Sequence, residues 1–142
     1  LRGIEQVMEA DILTIDQPQF DTLLMLMNGI GIVGKLNRID AFLNHIKSLL
    51  SPKGQILLDS SDIIYMFDED EDGGHWIPDG PDYYGEVSFV MEYKGLKSNP
   101  LSWLYIDYNT LQRAAIANNL SCELAYEGEH YDYLARLKLL EH

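Results

Sequence analysis

The side chains able to do chemistry in this sequence gather in a few short clusters, two of which directly follow apolar runs. Asp59-Ser60-Ser61-Asp62 follows Gln55-Ile56-Leu57-Leu58, and Asn28-Gly29-Ile30-Gly31 follows Phe20 to Met27. Asp11-Ile12 lies near the start. Carboxylates at such places accept hydrogen bonds from amines, and the Asn28 side-chain carbonyl has the same capacity. A third kind of cluster, Asp68-Glu69-Asp70-Glu71-Asp72-Gly73, matches the opening of a calcium loop, with Asp68, Asp70 and Asp72 alternating ahead of a glycine and Asp79 where a bidentate glutamate is usual. No amphipathic helix precedes it and His75 replaces the usual aliphatic residue, so a solvated acidic loop is expected, with an acidic, calcium-linked binding module through Asp68–Asp72 as the competing reading. His45, His75 and His130 are scattered without metal-ligand spacing, so no metal site is expected. No Ser/His/Asp or Cys/His nucleophile pattern stands out.

The elements that must position these residues follow from apolar periodicity. Val7 to Ile12 predicts a short strand. Asp16 and Pro18 punctuate the chain, and Phe20 to Met27 is apolar almost throughout, which predicts a strand buried on both faces. Gly29, Gly31 and Gly34 make a loop. Within Lys35 to Leu50, the residues Leu36, Ile39, Phe42, Leu43, Ile46, Leu49 and Leu50 recur in steps of three and four, the signature of a helix with one apolar face. Ser51-Pro52-Lys53-Gly54 is expected to stop that helix and turn the chain into a strand over Gln55 to Asp59. Strand, helix and strand in about forty residues make a βαβ unit with parallel strands.

Ser60 to Asp82 reads as an acidic surface loop. Tyr84 to Lys94 alternates apolar and polar residues and pairs with Leu101 to Asp107 as an antiparallel hairpin. Asn109 or Thr110 is expected to cap a helix ending near Ala117. Leu120 to Tyr126 and Tyr131 to Leu139 form a second hairpin.

Composition narrows the function classes. The 142 residues carry a formal net charge of -13, which repels phosphate backbones and disfavours nucleic acid as a partner. The longest apolar stretch, Phe20 to Val33, is broken by Asn28, Gly29 and Gly31 and falls short of the about 20 residues a bilayer span needs. No secretory leader pattern opens the sequence. The single cysteine, Cys122, has no internal partner and suits a reducing, cytoplasmic setting.

The order of these elements resembles the second half of the class I S-adenosylmethionine-dependent methyltransferase family, whose seven strands lie in the order 3-2-1-4-5-7-6 with the last one antiparallel. FDTLLMLMNG, from Phe20 to Gly29, is similar to the family's fourth strand; LLSPKGQILLDSS, from Leu49 to Ser61, is similar to its Leu-Lys-Pro-Gly-Gly turn entering the fifth, with Ser51 and Lys53 replacing the usual Lys and first Gly. Glu9 to Leu13 resembles the end of the third strand, and YDYLARLKLL the seventh. The glycine-rich first strand and the acidic residue ending the second have no counterpart here. Gly29-Ile30-Gly31 follows the wrong strand to replace that loop.

The resemblance implies an α/β fold class, a partial Rossmann-like sheet, mostly parallel with antiparallel C-terminal strands. Residues 1–139 would be the C-terminal part of a methyltransferase domain lacking its first two strands, and 140–142 (Leu-Glu-His) an expression-tag remnant. The implied cofactor of the complete protein is S-adenosylmethionine, and its implied partner a small-molecule or protein methyl acceptor. Asp11 would accept a hydrogen bond from the adenine amine and Ile12 would pack on the ring, with Asn28, Gly29 and Ile30 completing the cofactor side. Asp59, Ser60 and Tyr84 would border the substrate, and Tyr83, Trp76 and Trp103 are further candidate walls. Asn28 lacks the Pro-Pro that follows it in nucleobase methyltransferases. The segment alone is expected to be inactive, and its strand 20–27, left as an apolar edge, to drive self-association.

Overall fold

The computed structural model describes residues 3–16 and 19–141. The punctuation expected at Pro18 and His142, the last residue of the expected tag remnant, lie outside the described residues.

The βαβ unit forms as its periodicity dictates. Strand β1 (Phe20–Met25) leads through a 3-10 turn over Gly29–Val33 and another over Leu36–Arg38 into helix α1 (Ile39–Ser48), which returns the chain to strand β2 (Leu50–Ser61). β1 and β2 pair in parallel, with Leu23 opposite Ile56 and Leu24 opposite Leu57. On α1, Ile39, Phe42, Leu43 and Ile46 are all buried, as steps of three and four require.

Ser51-Pro52-Lys53-Gly54 does not turn the chain; it is the opening of β2. The register jumps from Phe20–Leu50 to Thr22–Gln55, so the four residues are absorbed as an irregularity at the sheet's border, where a proline's missing N–H costs no ladder bond. The strand expected over Val7 to Ile12 does not form. Residues 4–11 have no ladder partner, and a turn follows at 12–14.

Beyond β2 come a short 3-10 turn, Ile63–Met66, and an exposed acidic stretch. Strands β3 (Glu86–Phe89), β4 (Glu92–Tyr93), β5 (Leu96–Lys97) and β6 (Leu101–Leu104) follow; β3 pairs antiparallel with β6, and β4 with β5. Helix α2 (Tyr108–Ala117) is capped by Asp107 rather than by Asn109 or Thr110. The Asp107 side chain accepts the Thr110 N–H at 3.0 Å, and a carboxylate one residue ahead of the first turn suits that end's partial positive charge.

Strands β7 (Leu120–Glu127) and β8 (Asp132–Leu139) form the closing hairpin, and β8 inserts between β2 and β7. The sheet order β1-β2-β8-β7 places one parallel pairing beside two antiparallel ones, a partly parallel α/β sheet. Its core joins Leu43 and Ile46 of α1, Ile56 and Leu58 of β2, Leu111 and Ala115 of α2, and Ala135 and Leu137 of β8.

β1 lies at the border of this sheet, and that corrects the expectation of burial on both faces. Leu23 and Met25 pack against the core, while Leu24 is 63% exposed and Met27 is 90% exposed. A continuous apolar run shows that a strand has the composition for double burial; it cannot show that a covering element is present. Among the described residues, no helix is long and apolar enough to cross a membrane.

Candidate functional site at the carboxyl ends of β1 and β2

β1 is followed by two successive left-handed residues, Met27 (φ 58°) and Asn28 (φ 55°). Asparagine tolerates that conformation better than most residues because its side chain bonds locally. Besides the Gly31 N–H donated to its carbonyl, three hydrogen bonds involving side chains hold it. Asp59 Oδ1 on β2 accepts the Asn28 backbone N–H at 3.0 Å, the Asn28 Nδ2 donates to the Leu104 carbonyl at 3.2 Å, and Trp103 Nε1 donates to the Asn28 carbonyl at 3.2 Å. The Asn28 Oδ1 is buried and has no partner, an acceptor left unsatisfied at the rim. The Trp103 indole lies so tightly over the following turn that a Cβ on Gly31 would fall 1.9 Å from its ring nitrogen.

A cavity of about 670 Å³ opens beside this turn. Asp11, Ile12, Ile32, Arg38, Phe42 and His45 contribute to its lining. His45 Nε2 donates to the Ile12 carbonyl at 2.7 Å, tying α1 to the segment that carries Asp11. Asp11 Oδ1 accepts the Leu13 N–H at 2.9 Å, so the carboxylate is oriented by its own turn. Arg38, Ala41, Phe42 and His45 are spaced by three and four; that spacing was the available signal that one side of the helix N-terminal half faces a cavity.

On the other side of the rim, Tyr84 donates to Asp62 Oδ1 at 2.6 Å, and Tyr83 donates to Asp107 Oδ1 at 2.5 Å while accepting the Asp107 N–H at 3.0 Å. The two rings lie 4.6 Å apart. Burial, reinforced by these carboxylates, raises both phenols well above their ordinary range, so they stay protonated donors. Burial alone would raise Asp107, but the hydrogen bonds from Thr110 and Tyr83 outweigh it and its carboxyl is lowered. Because the unfolded chain then binds its proton at a higher pH than the folded one, this contribution is present above the ordinary carboxylate range and is lost as pH falls through the lowered folded value. Urea unfolding is therefore expected to show Asp107→Ala costing about 1 kcal/mol at neutral pH. That deficit should shrink as the medium is acidified below the ordinary carboxylate pKa; a pH-independent deficit would show that the cap works without its charge.

The structure brings Asn28 and Asp59 into contact and places Asp11 and Ile12 together on the first cavity. Ile30 is fully buried, so its side chain belongs to the core and only its backbone can border the rim. Ser60 is 2% exposed, and its Oγ accepts the Ile106 N–H at 3.1 Å, a tie between β2 and the segment after β6. Trp76 is exposed away from these walls. In the acidic loop, Asp70 Oδ1 is engaged by the Asp72 and Gly74 N–H groups, and among the described residues no three metal-ligating side chains converge.

No family model and no curated protein sequence matches the chain. Among solved structures, a SAM-dependent methyltransferase from Bacteroides fragilis, in complex with S-adenosyl-L-homocysteine, is similar with a TM-score of 0.87 and 45% identity over 99% of this chain and 56% of that one. An S-adenosylmethionine-dependent methyltransferase from Clostridium acetobutylicum gives 0.59 at 9% identity, over 93% of this chain and 63% of that one. The glycopeptide N-methyltransferase MtfA, complexed with S-adenosyl-L-homocysteine, gives 0.56 at 12% identity, over 93% and 60%. The last two speak for the fold alone. The chain spans a little over half the length of the Bacteroides structure.

Proposed function

We infer that this chain, which has the fold of the class I S-adenosylmethionine-dependent methyltransferases, comes from a protein of that family that transfers a methyl group from S-adenosylmethionine to a small-molecule or protein acceptor. The single observation that carries this reading is the likeness, at a TM-score of 0.87 and 45% identity, to a methyltransferase in complex with S-adenosyl-L-homocysteine. In open parallel sheets ligands sit beyond the carboxyl ends of the strands, where Asn28, Asp59 and the cavity beside Asp11 are found.

The residues present fit the cofactor. The first cavity offers apolar walls in Ile12 and Phe42 and an oriented carboxylate in Asp11, a set suited to a purine ring with its exocyclic amine. The unsatisfied Asn28 Oδ1 would accept an amino N–H, and Asp59, by holding the Asn28 backbone, fixes where that acceptor points. Gly29 and Ile30 contribute backbone at the same turn. When bound, the cofactor supplies an electrophilic methyl on a sulfonium. This chain's work is to orient and to exclude water, because such a transfer requires donor and acceptor in line and little covalent help. Asp59 and Tyr84 border the acceptor side, Tyr84 as a protonated donor fixed by Asp62.

We propose further that the segment alone is inactive and that the exposed outer face of residues 20–27 favours self-association. A cytoplasmic setting is supported by the lone Cys122, whose thiol burial pushes up to about 11, leaving it protonated and unreactive.

The test is calorimetric titration of the full-length protein with S-adenosyl-L-homocysteine. Saturable binding is expected, with Asp11→Ala weakening it by about tenfold, the loss of one hydrogen bond to a charged acceptor. Absence of any binding by the full-length protein would remove the reading; undiminished binding by Asp11→Ala would remove the assignment of that residue.

A further inference from the structure

A second cavity, about 570 Å³, opens at Ser61 where β2 ends, between the Ile63–Met66 turn and the β3–β6 pair. Its walls include Tyr65, Phe67, Tyr84, Phe89 and Tyr105, with Met66 and Val87 beside them. Phe67 meets Tyr84 edge-on at 6.1 Å, and Phe89 meets Tyr105 edge-on at 6.5 Å. Two of the polar groups in this wall are engaged elsewhere. The Tyr84 hydroxyl is bonded to Asp62, so Tyr84 offers its ring; Glu86 Oε1 accepts the Leu36 N–H at 2.9 Å. Among the described residues no lysine, arginine or histidine lines the cavity.

The cavity wall adjoins in sequence the residues that hold the rim already described. Leu104, whose carbonyl holds the Asn28 amide, is followed directly by Tyr105 in the cavity wall. Ser60, which receives the Ile106 N–H, directly precedes the lining residue Ser61. A ligand seated here lies next to the strand ends that the methyltransferase reading assigns to the cofactor.

We propose that this cavity is the acceptor pocket and that it takes a small, planar, largely apolar molecule bearing no negative charge. The proposal rests on the methyltransferase reading and narrows its acceptor from small molecule or protein to the first. The volume falls inside the range of about 300–1,000 Å³ typical of small-molecule sites. Ring faces bind a planar body through offset and edge-on contacts. A carboxylate entering the same space would find Glu86 and no cation to pair with, so it would be desolvated without compensation.

The experiment uses full-length protein saturated with S-adenosyl-L-homocysteine and two probes of one shape, indole and indole carboxylate. Indole is expected to bind, and the carboxylate to bind weaker by about tenfold or more. Phe89→Ala should weaken indole roughly fivefold through loss of one ring contact, while leaving S-adenosyl-L-homocysteine affinity unchanged. Phe89 is 39% exposed, so its truncation spares the core; Val87→Trp, which fills the cavity, should abolish indole binding independently. Equal affinity for the two probes overturns the proposal, as does indole binding indifferent to both variants. So does no indole binding by protein that holds S-adenosyl-L-homocysteine, the outcome if a polypeptide acceptor or the remainder of the protein fills this space. Failure to bind S-adenosyl-L-homocysteine at the first step is a separate result and sinks the methyltransferase reading itself.

Discussion

Gly85→Ala should destabilise the fold by about 3 kcal/mol and, in the same stroke, remove the aromatic cavity. A Cβ at residue 85 would lie 1.8 Å from the Tyr105 carbonyl oxygen and 2.5 Å from the Tyr83 ring. The first neighbour is backbone and cannot rotate away. It is also pinned, since the Tyr105 N–H donates to the Gly85 carbonyl at 2.8 Å, so the methyl forces apart two segments the fold holds in contact. The register of β3 with β6 begins at the adjacent pair, Glu86 and Leu104. Separating them displaces Tyr83 and Tyr84, and with them the bonds to Asp107 and Asp62. Thermal and urea unfolding measure the first effect, and indole binding by the full-length protein the second. A variant as stable as the parent would show that residue 85 is not a close-approach position.

The second large effect comes from contrasting two leucines of one sheet. Leu58 on β2 is fully buried, flanked by Met25 and Ala135 on the neighbouring strands. Truncation to alanine there should cost about 3–5 kcal/mol, the transfer loss plus a cavity that a close-packed sheet cannot collapse around. Leu24 on β1 faces outward, and its truncation in this 142-residue chain should cost less than about 0.5 kcal/mol. Urea unfolding of the two variants separates them. Similar losses at both positions would mean that the outer face of β1 is covered in solution, the signature of self-association through that strand; dilution would then lower the cost at Leu24.

The parts of the fold legible in the sequence are those set by local periodicity. Ile39, Phe42, Leu43 and Ile46 announce a helix with one buried side, and the apolar runs on either side of it announce two parallel strands. The failures share a different cause. Ser51-Pro52-Lys53-Gly54 has the composition of a turn, but an irregular pairing at the sheet's border accommodates it as strand, and that depends on where Phe20 lies. Asp107 outcompetes Asn109 and Thr110 as the helix cap because Tyr83, distant in sequence, fixes its carboxylate. Glu9 to Leu13 carries a strand's composition and finds no ladder partner.

The candidate site divides along the same line. Asn28 and Asp59 were identifiable as strand-end residues, and their contact follows from parallel pairing of the strands they terminate. Ser60 reads identically to its neighbours in sequence, yet strand alternation turns it inward to a backbone N–H. The pairs Tyr83–Asp107 and Tyr84–Asp62 join segments about twenty residues apart through a loop with no periodicity, and so leave no pattern to read.

The insertion of β8 between β2 and β7 has a consequence for how the protein is made. β1, α1 and β2 leave the ribosome ahead of the other strands of this sheet and can dock on one another through contacts close in sequence. The second edge of β2, however, waits for Asp132–Leu139, the last strand of this sheet to be synthesised. Throughout the intervening synthesis the central strand presents unpaired amides to any passing chain, and closure depends on a long-range, slow pairing. Nascent chains stalled before β8 are therefore the species on which chaperones would be expected to act.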